Sequence, residues 1–391
     1  MSKLEELIEQ YCPDGVKWKH LEEFCEIKTG KGITKKDSNE NGTYPIISGG
    51  VTPMGYYHIF NREGRTVTIS RVGANAGLVS FIDKKFYLND KCFSIIPSNG
   101  TNTKFLYYIL SAREADIKGM QSEGGVPTIN TQKVGSIEIP LPPLPVQEEI
   151  VRVLDAFTEL QAELQAELQK RLQQYEYYKW NIFEGLSCPT KHITDVALVK
   201  ARVGWQRLTT AEYQETGDYY LITGTDFKNG KIDFNSCVFV SKERYEMDPN
   251  IIVGKGDILI TKDGTLGKVA FMAEEPNKPT TLNSGVFRIH TTDPQVSSRY
   301  LFHYFTSKYF TDFVNSVKTG STIPHLTQQG LVSLNIPIPS LEEQNRVVSI
   351  LDKFEALTND LTSGLPAEME KRRQQYEFYR DKLLTFKRKE A

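Results

Sequence analysis

The chain has 391 residues, of which 39% are hydrophobic and 25% charged, and 47 Lys and Arg against 49 Asp and Glu leave a formal net charge of −2. That length holds two domains, each able to bury its own core. The charge balance excludes a chain coated in basic patches, but not nucleic-acid binding, because distribution matters more than the sum. No apolar run approaches the ~20 residues needed to span a bilayer, and the acidic, amphipathic segment 1–10 does not read as a signal peptide. The five cysteines (Cys12, Cys25, Cys92, Cys188, Cys237) are scattered, form no C-x-x-C pair and have no His at metal-ligand spacing. Free thiols in a reducing cytoplasm, with no membrane partner, are the expectation.

In chain order, the first half shows short β-rich runs at 43–48, 66–72, 77–82 and 91–97, then an aromatic helical run at 105–115. Pro142-Pro143-Leu144-Pro145 stops that domain. From Leu154 through Phe157, Leu160, Leu164, Leu168, Leu172, Tyr175, Tyr178 and Ile182, apolar residues recur at three- and four-residue steps. That spacing predicts one long helix with a continuous apolar stripe. The second half repeats the plan, with β-rich runs at 219–223, 237–241, 256–262, 268–272 and 285–290 and an aromatic helical run at 300–314. A second long helical stripe follows from Leu351 to Phe386, and Ser363-Gly364-Leu365-Pro366 predicts a break in it.

The halves are duplicates. IEIPLPPLPVQEEIVRVLD (137–155) aligns without a gap on LNIPIPSLEEQNRVVSILD (334–352), and RLQQYEYY (171–178) on RRQQYEFY (372–379). Weaker echoes pair 20–30 with 192–202, 67–81 with 258–271, 93–97 with 287–291 and 126–135 with 323–332. A long helix with one apolar stripe needs a partner, and the nearest candidate is its own duplicate. A pseudo-twofold repeat would then pair the helices as an antiparallel coiled coil. The fold class read from the chain is α+β. Two tandem loop-rich α/β domains (1–145 and 185–340) are separated by two long helices (146–184 and 341–391).

Polar, glycine-bearing loops recur at matched places. Lys31 and Lys35, Ser48, and Arg71 with Asn75 punctuate the first half; Thr225, Lys262 with Thr265, and Lys318 with Thr322 punctuate the second. Glycine lets backbone approach a ligand, and these side chains supply hydrogen bonds to phosphates and base edges. Arg71 and Lys262 occupy one repeat position beside a glycine turn and are the leading pair of DNA contacts. No phosphate-binding loop, dinucleotide fingerprint, Asn/Asp-Pro-Pro-aromatic run or H-E-x-x-H is present. Pro13-Asp14 followed by Glu26-Ile27-Lys28 fits a loose nuclease pattern, but Leu198 replaces the carboxylate in the second half. A non-catalytic scaffold and a Mg²⁺-dependent nuclease stay open as alternatives.

Cys25-Glu26-Ile27-Lys28-Thr29-Gly30-Lys31, the I-P-x-P-x-L-x-x-Q blocks ending at Gln147 and Gln344, SGLPAEMEKRRQQYEFYRDKLL (363–384) and RLQQYEYYKWNIF (171–183) resemble the specificity (S) subunits of type I restriction–modification systems. The resemblance implies that each globular half is a target recognition domain for one half of a bipartite double-stranded DNA site. It implies two docked methyltransferase (M) subunits and associated restriction (R) subunits, with S-adenosylmethionine, ATP and Mg²⁺ bound by those partners and no cofactor in this chain. Gln147, Leu164, Leu168, Tyr175, Gln344 and Tyr376 would be helix-interface or partner-facing positions. The helices would set the gap between half-sites. The tetrad repeat Gln161-Ala162-Glu163-Leu164, Gln165-Ala166-Glu167-Leu168 gives that idea a scale. Four residues add about 6 Å and about 40° of helix; the rotation matches the roughly 35° of one base pair, while the rise overshoots its roughly 3.4 Å unless the rod is tilted.

Overall fold

A computed structural model describes the chain apart from residues 1–2, 40, 99, 123–124, 204–207, 321–323, 360–363 and 390–391. The chain forms two compact units, Met1–Leu164 with Met369–Ala391, and Gln165–Glu368. Both divisions fall inside helices, Leu144–Glu184 and Leu365–Leu383. Each unit therefore includes part of both helices.

The units share three kinds of sheet, and the second adds a short pair, Phe227–Lys228 on Lys231–Ile232. In the first, a four-stranded antiparallel sheet runs Cys25–Thr29, Cys92–Pro97, Thr66–Ser70, Val79–Ile82; in the second the order is Ala197–Ala201, Val286–Thr291, Ile258–Thr261, Val269–Phe271. The strands Thr66–Ser70 and Ile258–Thr261 are buried at every residue, which is why their sequences are nearly continuous in Val, Ile, Leu and Thr rather than alternating. A three-stranded sheet lies beside each. Tyr44–Ile47 runs parallel to Tyr87–Leu88 and antiparallel to Tyr56–Tyr57. Tyr219–Ile222 runs parallel to Thr280–Leu282 and antiparallel to Val238–Val240. A short ribbon closes each domain, Trp18–His20 on Glu138–Pro140 and Thr190–His192 on Asn335–Pro337.

The aromatic helical runs differ from expectation, because each is two helices. Thr103–Ala112 is followed by Glu114–Gly119 after Arg113, whose φ/ψ of −105°/16° leaves the helical region. Ser298–Phe305 is followed by Lys308–Val317. There the Thr306 and Ser307 hydroxyls donate to the carbonyls of His303 (3.0 Å) and Tyr304 (2.6 Å), giving the backbone an alternative to continuing the helix.

Leu144–Glu184 is one helix of 41 residues. Its duplicate comprises the helices Leu341–Asn359 and Leu365–Leu383; Ser363 of the expected break lies outside the described residues, Gly364 is non-helical, and Pro366 sits in the first turn, where no N–H is needed. In the first unit Phe157 lies 6.5 Å and 5.5 Å from the rings of Tyr376 and Tyr379. In the second, Tyr175 and Tyr178 lie 6.1 Å and 5.2 Å from Phe354. The first turns of each long helix belong to a domain core: Val146, Ile150 and Leu154 pack with Phe93, Phe105 and Ile109, and the matching Val347 and Leu351 with Phe287, Tyr300 and Leu301. Among the described residues no helix is long and apolar enough to cross a membrane.

Candidate nucleic-acid interface

The polar, glycine-bearing loops are anchored around a turn that recurs in both halves. Leu88-Asn89 and Leu282-Asn283 occupy one repeat position, with Phe93 and Phe287 the same number of residues beyond. Asn89 N–H donates to Ile47 O at 2.9 Å, and Asn283 N–H to Ile222 O at 3.0 Å. The Asn89 side-chain oxygen accepts from Lys91 N at 3.1 Å, and that of Asn283 from Gly285 N at 2.8 Å. Arg71 N–H then donates to Lys91 O and Lys262 N–H to Gly285 O, both at 2.9 Å. A gapless reading of L-N-x-x-x-F-x-I in both halves was the available signal.

On this frame the leading cations sit alike. The Arg71 guanidinium carbon lies 5.3 Å above the Phe93 ring, and Lys262 Nζ 5.4 Å above Phe287. A ring face attracts a cation and holds it to one place beside the turn. Gly73 (φ +98°) and Gly264 (φ +72°) make that turn in the left-handed region, where a side chain is strained. Arg71 is half-buried and donates through Nη1 to Asp90 O at 3.3 Å, while its Nε is buried without a partner among the described residues.

Neighbouring loops converge on the same turn. Asn75 Nδ2 donates to Gly49 O at 3.0 Å, and a Cβ at Gly49 would lie 2.8 Å from Val72 O, so glycine permits this approach. Lys31 is exposed and anchored by its N–H to Leu88 O at 2.9 Å. Asn89 Nδ2 holds Ile33 O at 2.9 Å, ahead of exposed Lys35 in a single 3₁₀ turn, Lys35–Asp37. Ser48 is buried. In the second unit Thr225 and Thr265 are exposed, and Thr225 Oγ1 lies 2.8 Å from Thr223 Oγ1. Exposed Lys318 donates to Asn315 Oδ1 at 3.0 Å; Thr322 lies outside the described residues. Glu26 pairs with Lys28 at 2.7 Å and Asp14 lies 3.7 Å from Lys389, so each acid of the loose nuclease pattern has its own cation.

The helix positions divide into two kinds. Gln147 and Gln344 are completely buried and cradle their own domains. Gln147 Oε1 accepts from Asn102 N at 2.8 Å and Nε2 donates to Pro142 O at 2.7 Å; Gln344 Oε1 accepts from Ser297 N at 2.8 Å and Nε2 donates to Pro339 O at 2.9 Å. Tyr175 is buried, and Tyr376, Leu164 and Leu168 are half-buried. Exposed aromatics stand beside them at matched repeat positions, Tyr177 at 65% and Phe378 at 64%.

The family model described as the type I restriction modification DNA specificity domain matches residues 13–174 and 190–371. The chain belongs to that family. It is 32% identical over 391 residues to a type I restriction enzyme specificity subunit of Haemophilus influenzae, covering 95% of this chain and 96% of that one. It is 29% identical over 411 residues to the EcoR124I/EcoR124II specificity subunit of Escherichia coli, covering 100% and 98%. A solved S subunit from M. genitalium shares the fold with a TM-score of 0.56 at 17% identity, over 94% of this chain and 95% of that one. The chain is thus a specificity subunit with a DNA-recognition role rather than a catalytic one, and its two family matches fall one in each half of the duplication.

Proposed function

We propose that each domain reads one half of a bipartite DNA target and that the long helices fix the gap between the halves. The observation carrying this is the recurrence, on one scaffold, of a cation seated over an aromatic ring beside a glycine turn: Arg71 over Phe93 and Lys262 over Phe287. Lys31, Lys35, Asn75, Thr225, Thr265 and Lys318 would flank these two with phosphate and base contacts. Two equal readers at fixed separation require a rod, and the central helix of 41 residues supplies about 60 Å at 1.5 Å per residue.

Two methyltransferase subunits would dock on the helices at the matched surfaces carrying Tyr177 and Phe378. Exposed large aromatics are the residue types that anchor such contacts, and a duplicated surface fits two copies of one partner. Restriction subunits would join that core, and S-adenosylmethionine, ATP and Mg²⁺ would belong to these partners. The test is a salt series of DNA binding by the complex reconstituted with its methyltransferase subunit. This reading predicts that log K falls linearly with log salt, as released counterions demand. Absence of salt-dependent binding by an assembled complex would favour a scaffold.

A further inference from the structure

One side-chain pair on the second recognition face has no equivalent on the first. Matched backbone bonds stand beside each face, Ser122 N–H to Thr128 O at 2.9 Å in one unit and Thr319 N–H to His325 O at 2.9 Å in the other. The accepting residue bridges the residue after the seated cation, Thr128 opposite Val72 and His325 opposite Asp263. The next residue returns the chain to the cation itself, Ile129 N–H to Arg71 O at 2.8 Å and Leu326 N–H to Lys262 O at 2.9 Å. Thr128 and His325 are therefore equivalent positions on equivalent frames.

Their chemistry differs. Where the first domain has an aliphatic residue and a hydroxyl, the second has a carboxylate and an imidazole, with His325 Nδ1 2.5 Å from Asp263 Oδ1. A carboxylate facing Nδ1 fixes the proton there and holds the ring plane. Nε2 is left as the ring nitrogen without a hydrogen-bond partner among the described residues, on a side chain 49% exposed. A side-chain contact so exposed contributes little to folding, so stability does not account for orienting this imidazole beside Lys262.

We infer that His325 is a specificity-determining residue of the second domain, its Nε2 contacting a base edge, with Asp263 as its positioning residue. The inference rests on the bipartite reading above and deepens it. Two half-sites of different sequence need different side chains at equivalent places on one scaffold, and this pair is such a difference.

The experiment maps methylated positions for complexes carrying wild-type chain, His325→Ala and Asp263→Asn, each with its methyltransferase subunit. The expected result is that His325→Ala leaves one half-site and the gap intact and makes one position of the other half-site degenerate. Discrimination there should drop about tenfold to a hundredfold, the range of one good base contact. Asp263→Asn should relax the same position to a smaller degree. If His325→Ala does not assemble, His325→Gln, which keeps a polar side chain, is read in its place. An unchanged motif, or a uniform loss across all sites, would overturn the inference while leaving the bipartite reading standing. Failure of the wild-type complex to methylate a split motif would remove both.

Discussion

The Tyr108 hydroxyl donates to Asp155 Oδ1 at 2.6 Å, fastening helix Thr103–Ala112 to the central helix. Asp155 also takes Lys104 Nζ at 2.7 Å. Tyr108 is buried, and burial together with the carboxylate pushes its phenol up, so it stays the donor. Asp155→Ala leaves that hydroxyl only its longer contact to Thr158 Oγ1 at 3.4 Å. The expected cost is about 1–3 kcal/mol, as for a buried polar group that loses its partner, read as a lowered unfolding midpoint in urea with an unchanged m-value.

The duplicate uses a histidine instead. His303 Nε2 lies 2.7 Å from Asp352 Oδ1, and Arg299 bridges Asp352 and Glu355 at 2.8 Å and 2.7 Å. Burial lowers the His303 pKa more than Asp352 raises it, and nearby Arg299 lowers it further. Burial also pushes Asp352 up, but His303 and Arg299 outweigh it and hold that carboxyl below its usual value. Both shifts are downward, so the unfolded chain binds more protons as pH falls. Stability should decline below about pH 6.5 through His303, and further below about pH 4 through Asp352. The first decline should flatten in His303→Gln, measured by denaturant unfolding across pH.

Gln344→Ala removes the acceptor for Ser297 N and the donor to Pro339 O at a fully buried site. A loss of about 1–3 kcal/mol is expected, with Gln147→Ala costing a similar amount in the other unit. Hydrogen exchange at the amides of Ser297 and Asn102 reads each effect locally. Unchanged protection in both variants would contradict the cradle.

Much of this was legible in the chain and part was not. The duplication, the 3.6-residue stripe of the central helix and the break before Pro366 are local patterns, and the structure keeps them. The ribbon Trp18–His20 on Glu138–Pro140 was not, because three residues carry no period. Arg71, Asn75, Lys262 and Thr265 stood out through glycine turns. The aromatic seats beneath the two cations and the Asn89 and Asn283 hubs depend on neighbours brought together only by sheet pairing. Gln147 illustrates the same limit. Its recurrence as Gln344 marked it as important, yet a buried cradle and an exposed docking residue leave the same trace in a repeat.

Arg71→Ala separates two roles for the leading cation. A base contact predicts relaxation at one position by about 1–3 kcal/mol, whereas a phosphate contact predicts weaker binding to every sequence and a shallower salt slope. Competition binding across single-base variants of the target distinguishes them.

Deleting Gln165–Leu168 removes about 6 Å and about 40° of helix without touching either recognition face. The expected outcome is an unread gap shorter by about one base pair with both half-sites unchanged. A gap of unaltered length in the deletion complex would show that the central helix is not the ruler.

The central claim meets its most direct test when this chain is co-expressed with its methyltransferase subunit and methylated positions are mapped across the host genome. The account predicts one split motif, two short fixed halves around an unread gap. A single continuous motif, or no new methylation from a complex shown to assemble, would contradict it.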